Sequence, residues 1–320
     1  MAAKAAATKN HTYTNVADQN QLTAENAEFY SRTLLERLKP ELALAKYAEK
    51  SSSTNIPKKS GDTISWRRFN AVTVGNHKLV EGVTPNGIDA SVTKINSTVS
   101  QYGAYLQTTD YLDTVGLDPV ITEFSEVMGE HAGQTVETII RDVVTAGTNV
   151  IYAGGASDTT GAAANKITAD DILKIRRQMK RNKVKPITLP SGGVGYIMFA
   201  HTDVITDLMK TKEWKDANTY VDHQNLLNGI AGRLYGIYFM EYDFIEKDAN
   251  TYKNFVIGKG AYGIPDVAGS AKPKMIVKPV GSAGTADPLD QRSTVGWKAL
   301  LTAVRLQELA IVRYESGATA

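Results

Sequence analysis

DPVITEFSEVMGEHAGQTVETIIRDVVTAG, residues 118–147, is the stretch on which the fold turns. Asp118 fits a helix N-cap and Pro119 the first helical position, where a missing N–H costs nothing. Ile121, Phe124, Val127, Met128, Val136, Ile139, Ile140, Val143 and Val144 then recur at helical spacing. Gly147 stands where a C-cap is expected. About thirty residues at ~1.5 Å each make a rod roughly 45 Å long. Gly129 and Gly133 lie inside it. Each costs about 1 kcal/mol relative to Ala, unless another backbone must approach there.

Downstream, the Gly/Ala/Ser/Thr-rich run 153–165 reads as a loop. Thr168-Ala169-Asp170-Asp171 resembles a capping box that starts a second helix. Ile172, Ile175 and Met179 line one side of that helix, and Lys174, Arg177 and Arg181 the other. From 186 to 265, strand-like runs (Gly195–Ala200, Leu234–Phe239, Asn254–Ile257) alternate with helical ones around Val204–Lys210 and Gln224–Arg233. Met275–Pro279 and Val295–Tyr314 read as strands.

Upstream, residues 62–107 read as an extended hairpin. Ile64, Trp66 and Arg68 share one face of its first strand, and the return strand runs from Val92 to Leu106. A lone two-stranded hairpin is marginally stable and leaves edge groups unpaired. Such an arm makes sense where a neighbouring subunit covers it. Residues 1–60 hold only ten of the set Val, Ile, Leu, Met, Phe and Trp, whereas 111–150 hold fourteen. The first stretch therefore cannot bury a core of its own. Within it Leu34, Leu35, Leu38 and Leu42 recur at helical spacing, interrupted by Pro40, and 50–61 read as a linker. No internal repeat is visible. The class is α+β, a compact body with arms that need partners.

Composition removes whole classes of function. The 320 residues include 36 Lys+Arg against 34 Asp+Glu, a net charge of +2, so the chain is no polycation built to neutralise nucleic acid. It has no Cys, which excludes disulfides, thiolate chemistry and Cys-type zinc sites. No apolar run approaches the ~18 residues of a membrane span, and the start has no signal-peptide pattern. A soluble protein made in the cytoplasm is expected. The 32 Thr favour extended structure.

Signals for chemistry are weak. Gly258, Gly260 and Gly263 match G-x-G-x-x-G, but Pro265, Asp266 and Gly269 follow where a dinucleotide site needs a helix, so a tight turn is expected. The five His (His11, His77, His131, His201, His223) show no metal-ligand spacing. Gly154-Gly155-Ala156-Ser157-Asp158 lacks the second glycine of a nucleophile elbow. The sharpest charge feature is 174–185, with seven basic residues in twelve and no acid. It reads as a solvated helix face in preference to a DNA-facing patch, because no aromatic is interleaved for stacking. No catalytic, cofactor-binding or metal residue is expected.

The order of parts resembles the HK97-type fold of tailed-phage major capsid proteins. Ser60-Gly61-Asp62-Thr63-Ile64, Trp66-Arg67-Arg68-Phe69 and Leu79-Val80-Glu81-Gly82-Val83-Thr84-Pro85 are similar to the N-four-like podovirus branch. So are Gly258-Lys259-Gly260-Ala261-Tyr262-Gly263, Asp287-Pro288-Leu289-Asp290-Gln291-Arg292 and Val295-Gly296-Trp297-Lys298.

The resemblance implies an N-arm (1–52), an extended hairpin or E-loop (53–108), a peripheral domain (109–159 and 266–320) with spine helix 118–147, and an axial domain (160–265). It implies a non-enzymatic shell protein without cofactors, forming hexamers and pentamers around packaged double-stranded DNA that is bound at most non-specifically. Implied partners are a portal protein, a separate scaffolding protein, since no long leader precedes the arm, and a possible decoration protein, with no membrane involved. The location would be the virion, after synthesis in the bacterial host cytoplasm. Leu34, Leu35, Leu38, Ile64, Trp66, Arg67, Arg68 and Phe69 would contact neighbouring subunits. Lys174, Arg177 and Arg181 would be solvated or face DNA. An encapsulin-like cellular compartment shell is the alternative.

Overall fold

The computed structural model describes residues 43–49, 55–56, 61–70, 72, 74–76, 78–84, 87–110, 120–189, 193–218, 230–267, 272–282 and 287–319. The elements in chain order are helix α1 (Ala43–Tyr47), strands β1 (Asn55–Ile56), β2 (Thr63–Phe69), β3 (Val92–Thr98) and β4 (Ser100–Thr109), then the long helix α2 (Val120–Thr145). β5 (Val150–Tyr152), α3 (Thr159–Ala163), α4 (Ala169–Arg181), β6 (Ile187–Thr188), β7 (Val194–Ala200), α5 (Thr202–Met209) and α6 (Lys212–Asn218) follow. β8 (Ile230–Leu234), β9 (Ile237–Glu241), β10 (Lys247–Asp248), β11 (Thr251–Ile257), β12 (Tyr262–Gly263), β13 (Asp266–Val267), β14 (Lys274–Lys278), β15 (Arg292–Leu301), β16 (Val304–Arg305) and β17 (Ile311–Ser316) complete the chain. Helices and mixed or antiparallel sheets are packed together, an α+β fold.

The body is an eight-stranded mixed sheet in the order β5-β17-β11-β7-β9-β8, with β6 and β10 pairing onto β7 and β11. β7 reads as a near-continuous apolar run, and β11 is buried along most of its length, because both of their faces are covered. Phe199 stacks on Phe255 at 5.2 Å between ring centroids, and Trp214 of α6 meets Phe239 edge-on. Ile172, Ile175 and Met179 of α4 are buried in the same core, as their spacing predicts. Thr168 caps α4: its Oγ accepts from Asp171 N at 3.2 Å and donates to Asp171 Oδ2 at 2.9 Å.

Helix α2 serves two cores. Met128 and Ala132 pack with Met275, Val295, Trp297 and Ala299 of a separate three-stranded antiparallel sheet, β14-β15-β4. Val136, Ile140 and Val144 pack into the main core. The C-terminal segment divides accordingly. β15 lies in the small sheet, and β17 is built into the large one between β5 and β11.

Several readings of the sequence are corrected. The return strand 92–106 is two strands. β3 pairs with β2, and β4 leaves the hairpin to pair with β15 over its whole length. Gly103 permits this, because a Cβ there would lie 2.6 Å from the carbonyl oxygen of Trp297. The strand read over Leu234–Phe239 is broken by a turn: Leu234 ends β8 and Ile237–Phe239 open β9. Tyr235 (φ 48) and Gly236 (φ 81) both take the left-handed conformation of a two-residue type I′ turn between β8 and β9. The helix read over Gln224–Arg233 is strand from Ile230 on, and 224–229 lie outside the described residues. The run 153–165 contains helix α3, capped by Asp158, whose Oδ1 accepts from Gly161 N at 2.7 Å. Gly147 does not cap α2 in the left-handed conformation. The last carbonyls of α2 are instead met by arginines: Arg313 Nη1 donates to the oxygens of Thr145 (2.7 Å) and Gly147 (3.1 Å), and Arg305 Nη1 to that of Val143. Cations there also complement the helix dipole. The expected caps Asp118 and Pro119 lie outside the described residues.

The end of the chain is clipped to α5. Asp207 accepts from Thr319 N and Thr319 Oγ at 2.7 Å and from Lys210 Nζ at 2.9 Å. Burial would raise this carboxyl, but the hydrogen bonds from Lys210 and Thr319 override it and hold the pKa at about 2. The folded pKa lies below the unfolded value of ~3.9, so the clip contributes stability above about pH 4 and loses it as pH falls towards 2. Asp207→Asn should therefore cost about 2 kcal/mol near neutral pH, with the gap to wild type closing by pH 2. Urea unfolding between pH 7 and 2 checks this, and a gap independent of pH would refute it.

Candidate assembly surfaces

β2 and β3 pair in register from Thr63↔Thr98 to Phe69↔Val92. One face of the ribbon is polar, with Ser65 Oγ donating to Asn96 Oδ1 at 2.8 Å and the hydroxyls of Thr63 and Thr98 at 3.3 Å. The other face sits on the body. Ile64 is buried, a Cβ on Gly263 would lie 3.5 Å from the Trp66 ring, and Arg68 Nη1 donates to Leu306 O at 3.2 Å. Ser97 and Thr302 exchange a hydroxyl hydrogen bond of 3.1 Å.

Beyond this foot the environment changes. Phe69 is 79% exposed and Val74 96%, and Leu79, Val80, Val83 and Ile88 are all exposed. The structure thus divides the hairpin residues singled out in the sequence. Ile64, Trp66 and Arg68 touch their own chain at the foot, whereas Phe69 and Arg67 present themselves to solvent. Leu34, Leu35 and Leu38 lie outside the described residues.

The segment just after them is anchored. Leu44 in α1 is fully buried. Its N–H donates to Glu137 Oε1 at 2.9 Å, and its carbonyl accepts from Tyr262 Oη at 2.6 Å. Glu49 N donates to Tyr262 O at 2.9 Å, and Tyr47 meets Phe199 edge-on. Burial, with the negative charge of Glu137 beside them, pushes the Tyr262 and Tyr242 hydroxyls far above the usual phenol range, so both remain protonated. Sequence reasoning passed over Glu137. The available signal was its position three residues before Ile140 and seven before Val144, on the apolar stripe of α2.

On α4, Lys174, Arg177 and Arg181 are exposed, and Lys174 Nζ pairs with the buried Asp171 Oδ1 at 2.7 Å. Asp171 also accepts from Tyr314 Oη at 3.1 Å, which ties α4 to β17. Gly258–Gly263 is a strand-to-strand turn with Gly260 at φ 69, leading from β11 into β12 with no helix after it. His131 Nδ1 accepts from Trp297 Nε1 at 3.1 Å, and His201 Nδ1 accepts from Asp203 N at the start of α5. His11, His77 and His223 lie outside the described residues. Among the described residues no three His, Asp or Glu side chains gather as a metal site, and no helix is long and apolar enough to cross a membrane.

The sequence model of the phage capsid protein family matches residues 92–314. No curated protein matches the chain. Among solved structures, the fold is similar to the capsid of Ralstonia phage GP4, with a TM-score of 0.65 and 9% identity over 85% of this chain and 87% of that one. It is similar to the capsid asymmetric unit of cyanophage Pam1, with a TM-score of 0.61 and 17% identity over 99% of both chains. A virus-like particle from Pyrococcus furiosus matches with a TM-score of 0.50 and 12% identity over 90% of this chain and 98% of that one.

The anchoring of α1 generates a test. Glu137→Ala removes the acceptor of the Leu44 N–H and leaves buried donors unpaired, at an expected cost of about 2–4 kcal/mol. Thermal melting should show the loss, and the amides of 44–49 should exchange faster. Unchanged protection there would mean that Glu137 does not hold the segment.

Proposed function

The chain belongs to the phage capsid protein family, and on that premise we propose that many copies close into an icosahedral shell of hexamers and pentamers around double-stranded DNA. Membership makes it a structural component of the virion, a major capsid protein. The observation that carries the assembly reading is the row of exposed apolar side chains from Phe69 to Val92, which find no core within their own chain. Covering a Val, Leu or Ile side chain contributes roughly 1.5–3 kcal/mol, so several together can hold a neighbouring copy. In this reading the E-loop lies over the next subunit, with Phe69 and Arg67 at the contact. Ile64 and Trp66 set its angle from the foot, and Leu34, Leu35 and Leu38 extend the contact through the N-arm.

In the same reading residues 109–159 and 266–320 form the peripheral domain and 160–265 the axial domain. A portal protein, a separate scaffolding protein and a possible decoration protein complete the particle, after synthesis in the host cytoplasm. DNA would be held without sequence preference, consistent with the near-neutral charge. The fold likeness to the Pyrococcus furiosus particle keeps a second reading, an encapsulin-like shell around protein cargo. Nuclease-protected DNA in purified particles supports the first reading, and a co-purifying enzyme the second.

Val74→Ser with Leu79→Ser and Val80→Ser should leave the subunit's melting temperature within about a degree and abolish particles in negative-stain micrographs. Intact particles from this triple variant would remove the loop from the assembly contact. Lys174→Gln with Arg177→Gln and Arg181→Gln should leave particle yield within a few-fold, because these side chains lie on a solvated face. Complete loss of particles would place that face in a contact.

A further inference from the structure

At the foot of the hairpin lies a cleft of about 440 Å³, lined among the described residues by Trp66, Arg67, Arg68, Lys183, Lys185 and Lys259 and by one carboxylate, Glu49. The fold brings these cations together from three separate segments. Lys259 N donates to Lys185 O at 2.9 Å, which joins the turn after β11 to the chain leaving α4. Arg68 is fixed by its bond to Leu306 O. Among the described residues, Arg67, Lys183, Lys185 and Lys259 form no ion pair with a carboxylate.

Two features at the cleft are locally costly and serve no evident packing role. Lys183 sits at φ 55, in the left-handed conformation. It closes α4 with Val184 N bonded to Met179 O at 3.1 Å and Lys183 N to Lys180 O at 3.0 Å, the arrangement that ordinarily carries glycine at this position. A lysine there costs about 1 kcal/mol relative to glycine, and it places an ammonium at the cleft. The Trp66 Nε1–H is buried without a hydrogen-bond partner among the described residues. An unsatisfied buried donor costs about 1–3 kcal/mol. An anion in the cleft would gain from the ammonium and guanidinium groups.

We propose that this cleft binds a phosphoanion of two or more phosphate groups, either a free oligophosphate or consecutive phosphates of a nucleic-acid strand. Guanidinium and ammonium groups together suit phosphate oxygens, the first by bidentate bonds and the second as point charges. The inference goes beyond the shell reading and does not depend on it, since the cleft exists in the single subunit.

The test uses the full-length unassembled chain at fixed ionic strength. Tripolyphosphate is titrated by calorimetry and by thermal shift, and the double variant Lys183→Gly with Lys259→Gln is run in parallel. Glycine suits the backbone at 183, so the variant should melt no lower than wild type without ligand. The expected result is saturable binding that raises the melting temperature and weakens at least tenfold in the variant. A single-stranded oligonucleotide that competes with tripolyphosphate identifies nucleic acid as a source of the phosphates, and one that does not identifies free oligophosphate. The proposal is overturned by absence of saturable binding, by equal binding in the variant, by an equal shift from sodium sulfate, or by tighter binding of poly-glutamate, which would assign the cleft to an acidic protein.

Discussion

The rest of the fold hangs on one helix whose apolar stripe is shared between two cores. The first half of α2 contributes Met128 and Ala132 to the small sheet, and the second half contributes Val136, Ile140 and Val144 to the large one. A rigid rod of 26 residues, roughly 39 Å long at ~1.5 Å per residue, therefore fixes the distance between the sheets. Both ends of the chain then register on it. Glu137 anchors the segment at Leu44, and Arg305 and Arg313 close the helix's last turn from the C-terminal strands.

From this frame the hairpin projects with only its foot supported. β4 extends the small sheet by pairing with β15, and the chain before it peels away as β3 to meet β2. The foot is held by Ile64, Trp66, Arg68 and Ser97. Farther out, side chains that would form a core in an ordinary domain face water, as on a protein whose complement lies on another molecule. The body is well packed and the arm is not, a division suited to a subunit whose interfaces form only on assembly.

Much of the frame was legible because its signals are local and periodic. The apolar spacing of 121–144 gives α2, the Thr168–Asp171 box gives the start of α4, and the strand-like runs Gly195–Ala200 and Asn254–Ile257 give β7 and the second half of β11. What was not legible depends on partners distant in sequence. The split of 92–109 into two strands is decided by β15, nearly two hundred residues on, and the cap of α2 by arginines from the last strands. The turn at Tyr235-Gly236 was missed because a tyrosine occupies a left-handed position that sequence rules assign to Gly or Asn. At the candidate surfaces, the pattern of β2 marked the right strand: Ile64 and Phe69 differ in exposure because they lie on opposite faces of it, and only the face of Ile64 meets the body. Glu137 was hidden as one more charged residue in a helix. The basic cleft was hidden because Arg67, Lys183 and Lys259 meet only in the folded chain.

The central claim is that the exposed hairpin loop is completed by another copy of the same chain. Hydrogen exchange on peptides covering 78–84 and 87–92, compared between free subunits and purified particles, addresses it most directly. Fast exchange in the subunit and strong protection in the particle are the expected result. Equally fast exchange in both states would contradict the claim, because it would leave the apolar loop uncovered in the finished shell.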